Sequence, residues 1–233
     1  LVPADKGIYF QVLDENHMEV RRMRSHVTLQ GGEVRGCVGC HETQARSPVT
    51  AWNSAIALQN PPRKPQPPPW GADRLLGYEW MIQPVLDRHC VGCHGSHEPD
   101  GGLALTGRRA EDGFFDSFRV MFGKSDRNDR PARKLVSTID RRSDSRITLP
   151  MQAGSHRSRL VTILLEDELH RDAVQMSADD WLSLVTWVDA NAPYHDRFFN
   201  RRPANAEPPR RDVELKLVDP MAGLEEQIRS SEH

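Results

Sequence analysis

The pentapeptide Cys-Val-Gly-Cys-His occurs twice, at Cys37 to His41 and at Cys90 to His94, and the two copies use all four cysteines of the 233-residue chain. Any fold of this chain must therefore present, at two places, a pair of thiols about one turn apart with an imidazole directly after them. That arrangement suits one chemistry. Each thiol can form a thioether with one of two vinyl groups on one edge of a porphyrin, and the next residue then offers an imidazole nitrogen to iron from one face. One zinc ion shared by the two pairs is a poor match, because 49 residues separate Cys40 from Cys90 and zinc gives no reason for a histidine after each pair. A redox dithiol calls for a single CxxC beside a βαβ pattern, and structural disulfides do not account for the repeated histidine. Two covalently bound haem c groups are expected, one on Cys37, Cys40 and His41 and one on Cys90, Cys93 and His94, with His41 and His94 as iron ligands. Because haem c is attached outside the cytoplasm, an extracytoplasmic location, the periplasm or an equivalent compartment, is expected with it.

Composition narrows the partners. The net charge is -2 with 27% charged residues, so the chain as a whole carries no electrostatic footprint for nucleic acid. Arg197, Arg201, Arg202, Arg210 and Arg211 are read as a solvated tail. No apolar run approaches the ~18 residues that a membrane span needs, and no export signal opens the chain. It begins on "LVPADKGIYFQVLDE", which reads like the middle of a strand pair, so a piece of a longer exported protein is expected.

The expected fold class is α+β: a small β-hairpin-containing haem domain, then a mainly α cytochrome c-like domain, with much irregular structure. The division falls at "NPPRKPQPPPWG", where six prolines in twelve residues enforce an extended connector. Residues 1–60 form the β-rich haem domain, 61–71 the linker, 72–200 the cytochrome c-like domain and 201–233 an extended or partner-bound tail. In the first part, strands are expected around Ile8 to Leu13 and from Met18 to Leu29, with a turn at Asp14 to Asn16. In the second, "DRLLGYEWMIQPVLDRHC" reads as a helix that Pro84 kinks, burying Leu76, Trp80 and Leu86. Leu160, Ile163 and Leu164 share one face of the next helix. The clearest helix is "SADDWLSLVTWVDANAP": Ser177 caps it, Asp179 and Asp180 suit its positive end, and Trp181, Leu184, Val185 and Val188 form its apolar stripe, with a stop at Asn191 to Pro193. Between them, Gly107 to Pro150 reads as a polar surface excursion with one apolar island at Phe114 to Phe122. His89 and His97 read as exposed edge residues, and Tyr78, Trp80, Trp181 and Trp187 as core packed against haem.

The segments "VPAD", "YFQVLDE", "MRS", "GGE" and "CVGCHE" resemble the haem-bearing middle domain of the hydrazine synthase alpha subunit. "IQPVLDRHCVGCHG", "GGLALTG", "GSHRSRL" and "WLSLVTWVDANAPYHDRF" resemble the cytochrome c domain that follows it in that family, so that the likeness covers most of residues 1 to 200. The resemblance implies a propeller-like domain upstream, a first haem that can be catalytic and a second that is bis-histidine and conducts electrons. It also implies that "LLEDELHRD" supplies the second haem's distal ligand, His170; Met151, whose Pro-Met loop can supply a thioether, and His156 are the other candidates. In the family a tyrosine four residues after the first motif's histidine binds iron. Here that position is Ala45, so His41 is expected to be the ligand instead. Opposite it, His26, His17 or no residue completes the first site.

Three functions follow from these readings. An electron-transfer dihaem module is favoured. The alternative is a hydrazine synthase-like or peroxidase-like enzyme whose first haem is the catalytic centre, acting on a small nitrogen or oxygen compound, and the third is a scaffold that docks through its tail. The expected partners are a redox protein or other subunits.

Overall fold

A computed structural model describes residues 1–23, 25–35, 59–123, 134–139 and 149–196. Cys37, Cys40 and His41 of the first motif, Ala45, and the tail at 201–233 lie outside the described residues.

Near the N-terminus, β1 (Gln11–Leu13) and β2 (Glu19–Arg22) form an antiparallel hairpin. Its turn follows from Asp14, whose carboxylate accepts hydrogen bonds from the N–H groups of Asn16 and Met18, both at 2.9 Å, while His17 takes a φ of 61°. Both strands are shorter than expected. The register shifts at Val12/Leu13, and past the Gln11–Arg22 pair the two sides meet again at the Ile8–Val27 bridge. More residues lie between Arg22 and Val27 than between Ile8 and Gln11, so an unbroken ladder cannot form there.

The second part is helical. A π-helical segment, Tyr78–Ile82, runs directly into α1 (Gln83–His89). Pro84 accounts for the change of winding: it offers no N–H and its ring crowds the carbonyl of Trp80, a clash that a wider turn relieves. Tyr78, Met81, Ile82, Val85 and Leu86 are buried along this stretch, whereas Leu76 and Trp80 are half-buried. Next come α2 (Asp116–Met121), a 3-10 turn at Gly154–Arg157, α3 (Arg159–Glu166), α4 (Glu168–Ala173) and α5 (Ala178–Asp189). No helix among the described residues is long and apolar enough to cross a membrane.

Helix α5 organises the core. The Ser177 hydroxyl accepts the Asp180 N–H at 3.1 Å, and Leu184, Val185, Trp187 and Val188 are buried. Asn191 and Ala192, with φ of 68° and 51°, then reverse the chain. The reversal brings Tyr194 onto Tyr78: the Tyr78 N–H donates to the Tyr194 carbonyl at 2.9 Å, and the two rings stack at 5.7 Å. Phe118 and Trp187 close around Tyr78 at 5.0 and 5.3 Å.

The described residues within 107–150 depart from the expected surface excursion. The Phe114–Phe122 island forms a wall of the core, and Leu135 and Val136 are 6% and 0% exposed. Both of their N–H groups donate to the Met121 carbonyl, at 2.9 and 3.1 Å, and the Leu135 carbonyl accepts from Leu160. Two apolar residues amid polar neighbours carry no periodic signal, which is why the sequence hides them.

A buried carboxylate docks the hairpin on the helices. Asp189, the last residue of α5, accepts from the Glu19 N–H of β2 at 2.9 Å and from the Ser155 N–H and hydroxyl at 2.7 and 2.8 Å. Gly154, with φ of 70°, leaves the space that Asp189 Oδ1 occupies; a Cβ there would collide with it. Around this contact Met18 packs with Val161 and Val185, Trp181 Nε1 donates to the Asn16 carbonyl at 2.9 Å, and the Met151 N–H donates to the Val20 carbonyl at 2.9 Å.

Candidate functional site

The described half of the site is the second Cys-Val-Gly-Cys-His, which continues the winding of α1. The Cys90 and Val91 N–H groups donate to the Leu86 carbonyl, and those of Cys93 and His94 donate to the Cys90 carbonyl, at 2.8 to 3.2 Å. Cys90 therefore turns partly inward and Cys93 faces out. Burial pushes the Cys90 thiol up to about 11, with the neighbouring Cys93 adding to the shift. A reactive redox thiol needs a lowered pKa, so Cys90 is poorly set for that chemistry.

His94 is held from two sides. Its carbonyl accepts the Leu105 N–H at 2.8 Å, and the Leu105 carbonyl accepts from Gln83 Nε2 at 3.0 Å, while Ser117 donates to Gln83 Oε1 at 2.5 Å. This network ties the motif to α1 and α2. The ring's Nδ1 lies 3.1 Å from the Leu103 carbonyl. A carbonyl only accepts, so Nδ1 donates, and in the neutral ring Nε2 is the nitrogen with the lone pair.

The same division of labour holds at His170. Sequence likeness points to a single leucine-rich helix ending in this residue, but the chain breaks at Asp167 and His170 stands in the short α4. The Asp167 carboxylate accepts the His170 ring Nδ1–H at 2.7 Å and its backbone N–H at 3.1 Å. Those hydrogen bonds hold the Asp167 carboxyl below its ordinary range. Here too Nε2 is the nitrogen left free.

The two rings lie near each other. His94 and His170 have centroids 6.3 Å apart and planes within 16° of parallel. An imidazole nitrogen lies about 1.1 Å from its ring centroid and a metal–imidazole bond is about 2.0 Å, so two rings binding one metal from opposite sides stand about 6 Å apart. The ring spacing and the acceptor behind each Nδ1 are compatible with both histidines serving one haem iron. Among the described residues no three His, Cys, Asp or Glu side chains gather into a metal cluster. A haem needs no such cluster, since the porphyrin supplies four nitrogens and the protein only the axial pair.

The other candidates lie elsewhere. Met151 packs against β2, and His156 Nε2 lies 3.2 Å from Asp14 Oδ2 at the base of the hairpin. His97 is exposed, as expected; His17 and His26 are exposed too, and the first motif they could serve is outside the described residues. His89 departs from expectation: it is half-buried, and its Nε2 lies 2.9 Å from Asp180 Oδ2. Arg88 reaches the other Asp180 oxygen at 2.5 Å, so one carboxylate at the start of α5 clamps the residues just before Cys90. Burial alone would raise the Asp180 carboxyl, but the hydrogen bonds from His89 and Arg88 outweigh it and hold it low. A groove of about 210 Å³ between β2 and residues 149–153 includes no residue of the motif or of α4.

Comparison with known proteins places one part of the chain. Residues 1–42 match the family described as hydrazine synthase alpha subunit middle domain, a stretch that takes in the hairpin and ends just past His41. No curated protein and no solved structure matches.

Proposed function

We propose that the chain is a dihaem c-type cytochrome module that transfers electrons, part of a larger redox protein working outside the cytoplasm with a redox protein or further subunits. Cys90 and Cys93 would hold the second haem through thioethers, and His94 and His170 would bind its iron. Cys37, Cys40 and His41 hold the first. A haem supplies one-electron exchange between two iron oxidation states, and the protein sets how readily that exchange occurs. For the second site, the residues favour transfer over substrate chemistry. With His94 and His170 both bound, the iron would have no site left for a substrate, and the packed Gln83, Ser117 and Leu105 network would hold the His94 side still. The approach of the His94 and His170 rings to 6.3 Å, with planes within 16° of parallel, is the observation that carries this reading.

The match of residues 1–42 to the hydrazine synthase middle domain favours a second reading, in which the first haem is a catalytic centre fed by the second. In that reading the axial position opposite His41 is open to a small nitrogen or oxygen compound.

Expression with haem c maturation, followed by a haem count and absorption and electron paramagnetic resonance spectra, tests both. The first reading expects two haems per chain, both low-spin, and a His170→Ala variant in which one becomes high-spin and binds carbon monoxide. It fails if fewer than two haems attach or if His170→Ala leaves the spectra unchanged. A high-spin component that binds carbon monoxide in the unmutated protein favours the second reading.

A further inference from the structure

Behind the two neighbouring rings stand different acceptors. His94 Nδ1 meets a neutral backbone carbonyl, whereas His170 Nδ1 meets the carboxylate of Asp167. One oxygen, Asp167 Oδ1, takes both the ring Nδ1–H and the backbone N–H of His170. The ring is therefore fixed relative to its own backbone at two points. Asp167 also ends α3, with backbone angles of -78° and 121°, and its carbonyl accepts the Arg171 N–H at 2.9 Å to begin α4. A single residue thus decides where the chain breaks, which tautomer His170 adopts and which way its ring is turned.

We propose that Asp167 is a positioning residue that holds His170 as a strongly donating axial ligand and so biases the second haem towards its oxidised form. The inference rests on the dihaem reading above. A carboxylate drawing on Nδ1–H raises electron density at Nε2, which stabilises the more positive iron state more than the less positive one. A backbone carbonyl does this less, so the asymmetry between the two ligands resides in Asp167. The Asp167 side chain is half exposed, and solvent and salt reduce the influence of its charge.

The test uses the full chain with both haems, titrated electrochemically while the low-spin signal of the bis-histidine haem is followed. Asp167→Asn keeps the cap and an acceptor for Nδ1 but removes the charge. It should shift the oxidised-to-reduced ratio at a given potential towards reduced by up to about tenfold, or about 59 mV for a one-electron couple, with the low-spin signal retained. Asp167→Ser caps α4 equally well and should raise the potential too. Asp167→Ala should in addition give a fraction of high-spin haem that binds carbon monoxide. An unshifted potential in both the Asn and Ser variants overturns the proposal and leaves Asp167 as a helix cap alone. If the unmutated protein lacks a bis-histidine signal, or keeps it in His170→Ala, the dihaem reading fails and the role of Asp167 falls with it.

Discussion

Replacing Asp189 with alanine removes the acceptor on which the hairpin's docking converges. Asp189 is 2% exposed, and three donors end on it: the Glu19 N–H, the Ser155 N–H and the Ser155 hydroxyl. A hydrogen bond to a charged acceptor contributes about 1.5–3 kcal/mol, and a buried donor left without a partner costs about 1–3 kcal/mol. The three losses are not additive. The Ser155 hydroxyl can rotate to another acceptor, and water can enter the vacated space, so the expected cost is about 3–5 kcal/mol. That is a large share of the roughly 5–15 kcal/mol that stabilises a typical domain. Urea unfolding of the haem-loaded protein, followed by circular dichroism and tryptophan fluorescence, measures it. Trp181 reports on the contact itself, because its Nε1 bonds the Asn16 carbonyl in the hairpin turn. Ser155→Ala, which removes only the hydroxyl donor, should cost about 1 kcal/mol. The double variant should cost less than the sum of the two. A loss below about 1 kcal/mol for Asp189→Ala, or strict additivity in the pair, refutes the account of the docking contact.

Gly154→Ala attacks the same contact from the other side: it strains a φ of 70° and drives a Cβ into Asp189 Oδ1, so unfolding measurements should show a loss above about 2 kcal/mol. Ser177→Ala should cost about 1 kcal/mol in the same assay by leaving the Asp180 N–H uncapped at the start of α5. Glu19 offers a pH test. Burial raises its carboxyl above the ordinary 4.5 despite the Arg22 guanidinium beside it. A raised carboxyl contributes its full stability below 4.5 and loses it as pH climbs through the folded value, so Glu19→Gln should flatten the stability profile just above pH 4.5. Asp180 has the opposite sign. Its depressed carboxyl stabilises above the ordinary 3.8, and that contribution disappears as pH falls through the lowered value. Asp180→Asn should therefore lose stability at neutral pH, by less than about 1 kcal/mol because Arg88 is half exposed, and match the parent in strong acid.

Local signals in the sequence translate well where the cause is local. Ser177 caps α5, the Asp14 turn forms, and Asn191 to Pro193 reverse the chain, because each depends on a side chain meeting backbone a few residues away. Pro84 announced a disturbance but not its form, since whether a helix kinks or widens depends on what packs around it. Leu135 and Val136 were invisible, and so was the purpose of "GSHRSRL". Gly154 leaves room for a carboxylate, Ser155 binds it, and the Ser158 hydroxyl accepts the Ser137 N–H at 2.9 Å. Each of these partners is distant in the chain, and no spacing rule connects them.

The sequence alone determined the chemistry on offer: two thiol pairs, each followed by a histidine, with no cysteine to spare. It also determined the amphipathic α5 and the hairpin turn, because periodicity and capping act over one or two turns of chain. It named His170 by likeness to a family, not by any property of the residue. Only the tertiary structure decided that the His170 ring comes to 6.3 Å from that of His94 while Met151 and His156 go to the hairpin. It likewise decided that Asp189 joins the hairpin to the helices. The physical reason is the same in each case. A ligand pair or a buried hydrogen bond is a meeting in space, and its partners are chosen by how helices pack around Tyr78 and Trp187, not by their order along the chain.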